Sequence, residues 1–137
     1  MRHTELLSLK NMVYNIYTNL KEVAMYFTST EDFFKKAEAS LRLSSEEEKA
    51  LGQLKEQGDV AAREALVQGY LCFTADFVRR APEDIRTLNT VYACVECLEK
   101  SVDRFDFTKG RERFASFLGK ALRRCITRCI AFRASPE

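Results

Sequence analysis

Apolar residues recur every three or four positions along nearly the whole chain, and no stretch of useful length alternates apolar with polar. A helix needs that repeat to bury one face, whereas a half-buried strand needs a repeat of two. The chain is therefore read as all-α. Residues 4–27 predict a helix carrying Leu6, Leu9, Val13, Ile16, Tyr17, Leu20, Val23 and Ala24 on one side, and a shorter helix is expected over 30–40. Leu43-Ser44-Ser45-Glu46-Glu47-Glu48 predicts a helix start, with a serine cap and acids in the first turn, where they complement the helix dipole. Gly58-Asp59 should end that helix and cap the next, expected from about 60 to 80 on Ala62, Leu66, Phe73 and Phe77. Pro82 is read as opening a further helix, since proline is tolerated in a first turn. Its stripe is Ile85, Leu88, Val91, Tyr92, Val95, Leu98 and Val102.

With 137 residues, 46% of them hydrophobic, and only two prolines and five glycines, the chain is long enough for one real core and too short for two. Residues 1–42 are expected as an amino-terminal helical segment packed together with 43–133 in one helical bundle. No apolar run approaches membrane-spanning length. The first thirty residues carry acids and amides where a signal peptide needs an uninterrupted apolar core. A cytoplasmic protein with no membrane partner is expected.

Charge is distributed unevenly along the chain. Residues 1–110 hold 15 Lys+Arg against 18 Asp+Glu, whereas 111–137 hold 7 against 2, so a net charge of +2 conceals a basic last helix. On a wheel of roughly 100° per residue, Phe114, Leu118, Ala121, Leu122, Cys125, Ile126 and Cys129 form one apolar stripe. Arg113, Ser116, Lys120, Arg123, Arg124 and Thr127 fall opposite, and Phe117 sits at the boundary. An aromatic ring beside cations at helical spacing suits stacking of an unpaired base with neutralisation of its phosphates.

Three blocks of the sequence together carry a family resemblance: LSSEEEKALGQLKEQGDVAAREALV at 43–67 contributes the first two, its LSxEEE opening and its GDxxAREALV helix, and VDRFDFTKGRERFASFLGKALRRCITRCIA at 102–131 the third. In this order and spacing they resemble region 2 of bacterial sigma-70-type RNA polymerase sigma factors, over roughly residues 43–131. The resemblance implies a helical transcription-initiation module that grips the clamp helices of core RNA polymerase and captures the single-stranded minus-ten promoter element. Carried over by position, Phe114 and Phe117 fall where the family keeps aromatics, Phe117 replacing a tyrosine that stacks on an extruded adenine. Arg124 and Thr127 match positions reading the upstream edge of the element, and Arg123 and Arg128 match backbone-contacting basics. With Arg113 and Lys120 these make the expected DNA face. The expected polymerase face is Asn89, Ala93, Glu96 and Lys100.

Several family features are altered. A tryptophan pair that wedges the melting edge is replaced by Lys120 and Ala121, and the chain has no tryptophan. Two acidic clamp-binding positions have become Asn89 and Ala93. The usual asparagine and arginine of the preceding helix appear as Tyr70 and Cys72, and one extra residue stands between Gly110 and Phe114. Little sequence follows the last helix, so separately encoded carboxy-terminal sigma regions are an expected partner. An anti-sigma protein is another, under the alternative reading of a helical interaction module that binds polymerase, a sigma factor or an anti-sigma protein without melting DNA.

Cys94 and Cys97 have C-x-x-C spacing and Cys125 and Cys129 lie one turn apart, which is compatible with four zinc ligands. Both pairs fall within predicted helices, and small buried thiols are the simpler account. No metal or other cofactor is expected. His3 is the only histidine, so a histidine-based triad is out of reach. The glycines never form a phosphate-cradling loop, and no catalysis is expected.

Overall fold

The structure, a computed structural model, describes residues 10–17, 25–110 and 112–134. Among them every regular element is helical. The elements are α1 (10–17), α2 (Thr30–Ala39), α3 (Ser45–Glu56), α4 (Val60–Gly69), α5 (Leu71–Arg80), a single 3-10 turn (Glu83–Ile85), α6 (Leu88–Arg104) and α7 (Phe114–Ala134). Of the helix expected over 4–27, residues 10–17 are described as helical, with Ile16 buried, and the chain is non-helical at 25–27. Leu6, Leu9, Leu20, Val23, Ala24 and His3 lie outside the described residues.

Local chemistry accounts for the boundaries. Ser44 caps α3 in a full capping box: its hydroxyl accepts from the Glu47 N–H at 3.1 Å, and the Glu47 carboxylate accepts from the Ser44 N–H at 2.8 Å. The far end of α3 closes with the Gly58 N–H on the Lys55 carbonyl and the Asp59 N–H on the Leu54 carbonyl. That pairing is a Schellman motif, and it needs the left-handed backbone that Gly58 supplies at φ +90°. Asp59 then caps α4 through the Ala62 N–H.

Two elements depart from the sequence reading. The helix expected from 60 to 80 is two helices joined at Tyr70, whose N–H turns back to the Val67 carbonyl. Leu43 presses so closely on Gly69 that a Cβ there would come within 2.3 Å of it. The Tyr70 ring packs edge-on against Phe114, with centroids 4.8 Å apart. Pro82, for its part, does not open α6. It sits in extended backbone before the 3-10 turn, and Thr87 is the residue that caps α6, accepting from the Thr90 N–H. The six residues 82–87 thus stand outside the α-helix expected there, three of them in the 3-10 turn.

Helix α6 lies at the centre, packed against α7, α5, α4 and α2, while α3 packs on α4. Val91, Cys94, Val95, Leu98 and Val102 bury its inner face against Leu66, Leu71, Val78, Phe114, Leu118 and Leu122. Helices α6 and α7 form an antiparallel hairpin: Cys94 meets Cys125 at 3.9 Å, and Arg133 reaches back to the Asp84 carbonyl at 3.0 Å. Tyr92, expected in the apolar stripe, is 37% exposed. Its hydroxyl accepts from the Phe27 N–H and donates to the Phe27 carbonyl, anchoring the segment before α2.

Candidate nucleic-acid and partner interface

The turn between α6 and α7 positions everything on α7. Lys55 of α3 donates to the Asp103 and Phe105 carbonyls at 3.1 and 3.0 Å, holding the carboxyl end of α6 with a cation where the helix dipole favours one. Asp106 accepts from the Thr108 N–H at 2.9 Å, which closes the turn that follows. The rings of Phe105, Phe107 and Phe114 then pack at centroid distances of 4.9 to 5.2 Å. Phe117 joins them, 5.2 Å from Phe105. This cluster fixes the direction in which α7 leaves the turn.

Along α7 the expected wheel holds. Phe114, Leu118, Leu122 and Cys125 are buried, Ala121, Ile126 and Cys129 half-buried, and Arg113, Ser116, Lys120, Arg123, Arg124 and Thr127 exposed. The candidate DNA residues nevertheless differ in what they have free. Lys120 is paired with Glu112 at 2.7 Å. The Thr127 hydroxyl donates to the Arg123 carbonyl at 2.9 Å, leaving it only acceptor capacity. Phe117 is half-buried in the aromatic cluster, so one side of the ring is committed to packing. Arg123 points toward Phe73 and Phe77 of α5, its guanidinium beside Gly119. By contrast Arg124 and Arg128 are exposed on the side facing α6.

The four residues of the candidate polymerase face share that side. Asn89, Glu96 and Lys100 are exposed and Ala93 half-buried, and all four line a groove between α6 and α7 together with Arg124 and Arg128. Two faces that the sequence reading kept apart are therefore the two walls of one groove. Its acid, Glu96, is paired with Lys100 at 2.8 Å, and this lysine holds the Glu96 carboxyl below the usual range. Arg104, Phe132 and Arg133 also line the groove, and sequence reasoning missed all three. Arg104 was detectable as the next step of the i, i+4 series Glu96, Lys100, Arg104. Among the described residues none of Arg104, Arg123, Arg124 and Arg128 forms an ion pair.

Beneath the groove the thiols of Cys94, Cys97 and Cys125 converge. The neighbouring Cys125 thiol, together with burial, pushes the Cys97 thiol well above its usual range, although Ser101 and Arg128 pull the other way. Cys125 is pushed up to about 12, chiefly by its contact with Cys94 and by burial. Among the described residues no group of three or more His, Cys, Asp or Glu side chains is disposed to hold a metal ion.

A second recess opens on the other side of the aromatic turn, between α3 and the start of α7. There the Tyr70 hydroxyl donates to Glu48, and burial together with that carboxylate raises the Tyr70 phenol above its ordinary value. Arg113 lies close by, its charge acting in the opposite sense on Tyr70. The DNA candidates thus span two places, with Arg113 at the recess and Arg124 and Arg128 in the groove.

No protein-family model and no solved structure matches this chain. Among the described residues no helix is long and apolar enough to cross a membrane.

Proposed function

We propose that this chain is a sigma factor-like transcription-initiation module of the cytoplasm, which binds core RNA polymerase and the single-stranded minus-ten promoter element. The reading rests on the three sequence blocks that resemble sigma region 2, and it draws its physical support from α7. Arg124 and Arg128 stand exposed one turn apart and, among the described residues, without an ion pair, on a helix whose direction is fixed by the aromatic turn. Unneutralised arginines on a rigid element are suited to phosphate, and the outer edge of Phe117 is suited to a base. Arg113, Lys120, Arg123 and Thr127 complete the DNA face of this reading. Binding of a minus-ten-like oligonucleotide, followed by fluorescence anisotropy, should weaken steeply with salt. Arg124→Ala/Arg128→Ala should weaken it at least about tenfold, and Phe117→Ala should cost roughly 1–3 kcal/mol if the ring stacks a base. Equal affinity for wild type and the arginine double variant would overturn the nucleic-acid reading.

One observation favours the second reading, a helical interaction module that binds polymerase, a sigma factor, separately encoded carboxy-terminal sigma regions or an anti-sigma protein without melting DNA. Lys120 and Phe117, both on the DNA face, are already engaged by Glu112 and Phe105. The α6 wall formed by Asn89, Ala93, Glu96 and Lys100 meanwhile offers a single acid that is itself paired. A pull-down of core polymerase that strengthens with Asn89→Asp/Ala93→Glu supports the clamp-helix face. One that is indifferent to both that variant and Glu96→Lys argues for the interaction module.

A further inference from the structure

The α6/α7 groove has a floor of small side chains and a rim of cations. Thr90, Ala93, Cys97 and Ser101 on one helix face Ala121 and Cys125 on the other, and all six are buried or half-buried. Above them Arg104 stands on the α6 wall and Arg124 and Arg128 on the α7 wall, exposed and without an ion pair among the described residues. Lys100 adds a fourth cation, held by Glu96, and Arg133 a fifth at the far end, bound to the Asp84 carbonyl. Among the described residues the one large exposed apolar side chain in the groove is Phe132, 84% accessible, at that same end.

We infer that this groove docks an acidic amphipathic α-helix of a partner protein. Small floor residues let a third helix approach closely, with its apolar ridge seated between α6 and α7. Helix α6 is 17 residues long, about 25 Å at 1.5 Å per residue, which matches a partner helix of four to five turns. The cations on both walls call for carboxylates on both flanks of that ridge, and complementary charge sets register and association rate. A single nucleic-acid strand fits the groove less well. Stacking platforms would be needed along its length, and the groove offers Phe132 at one end alone. A basic helix would meet the cations of both walls. The docking uses Arg124 and Arg128, which the nucleic-acid reading above also uses, so the two readings compete for one groove and the oligo(dT) arm tells them apart.

The probe is a fluorescein-labelled helical peptide with an Ala/Leu stripe flanked on both sides by glutamates. Its partners in the assay are an isomer with lysines in place of the glutamates and an oligo(dT) strand. The full chain should bind the acidic peptide in a salt-sensitive manner and ignore the lysine isomer. Arg124→Glu/Arg128→Glu should weaken binding about tenfold or more, as should Arg104→Glu to a lesser extent, while Lys35→Glu, exposed on α2 and outside the groove, should leave it unchanged. Ala93→Phe tests the floor without altering charge, and it should also weaken the peptide. Circular dichroism shows which variants keep their helices, and binding is compared among those. Any of three results would overturn the inference: equal binding of acidic and basic peptides, equal loss with Lys35→Glu and Arg124→Glu/Arg128→Glu, or oligo(dT) binding that responds to the groove variants while the acidic peptide does not bind.

Discussion

The reactivity of the cysteines is set residue by residue, because a thiol reacts through its thiolate. Cys97 and Cys125 both line the groove, Cys125 meets Cys94 at 3.9 Å, and both Cys97 and Cys125 are pushed upward, Cys125 to about 12. At pH 8 an ordinary thiol is roughly a quarter ionised, whereas these two remain protonated. We therefore expect iodoacetamide to alkylate Cys97 and Cys125 more than about tenfold slower than glutathione at pH 8, read by mass spectrometry of timed digests. Labelling of either at the rate of a free thiol would show that the contact between α6 and α7 is looser than described. Sequence spacing alone left Cys97 off the apolar stripe. Its half-burial comes from α7 lying across it, a contact that no wheel drawn for one helix contains.

At the scale of elements, the turn from Phe105 to Gly110 is held by what α3 presents to it. Gly52 of α3 faces Phe107 so closely that a Cβ there would come within 2.5 Å of the Phe107 Cβ. The neighbouring atom belongs to the root of a packed ring and cannot swing aside. Gly52→Ala should therefore destabilise the fold by roughly 1–3 kcal/mol in urea titration, despite the better helix propensity of alanine. The same variant should loosen Phe105 and Phe117 and lower whatever binding α7 supports. A stability equal to wild type would mean the turn is not anchored on α3. The starts and stops that depend on local chemistry, Ser44, Gly58 and Asp59, were legible in the sequence, as was the buried face of α7. The break at Tyr70 and the irregular run at 82–87 were not, because each is set by tertiary contacts or by one competing cap: Leu43 against Gly69, Tyr70 against Phe114, Thr87 in place of Pro82. The candidate site was legible as a list of side chains on two helices. That both sets line one groove follows from the antiparallel hairpin, which periodicity does not report.

Across the whole molecule, ion pairs join helices far apart in the chain, and Arg63 is the hub. Its guanidinium forks onto Asp103 at 2.7 and 3.1 Å and lies 3.7 Å from Glu99, tying α4 to α6. Arg63 holds the Asp103 carboxyl below the usual carboxylate range, outweighing the opposing effect of partial burial. A carboxyl depressed in the folded state stabilises the fold above its unfolded value near ~4, and that contribution is lost as pH falls through the folded value. Half of the Asp103 side chain is open to water, so solvent screening limits the pair to under about 1 kcal/mol. Asp103→Asn should accordingly cost less than about 1 kcal/mol at pH 7, and the gap from wild type should narrow as pH falls below ~4 and wild-type Asp103 takes up its proton. Urea midpoints for the two proteins at pH 7, 4 and 2.5 test this directly. A gap that persists undiminished at pH 2.5 would show that Asn disturbs the end of α6 through packing, with Lys55 at the Asp103 carbonyl as the first place to look.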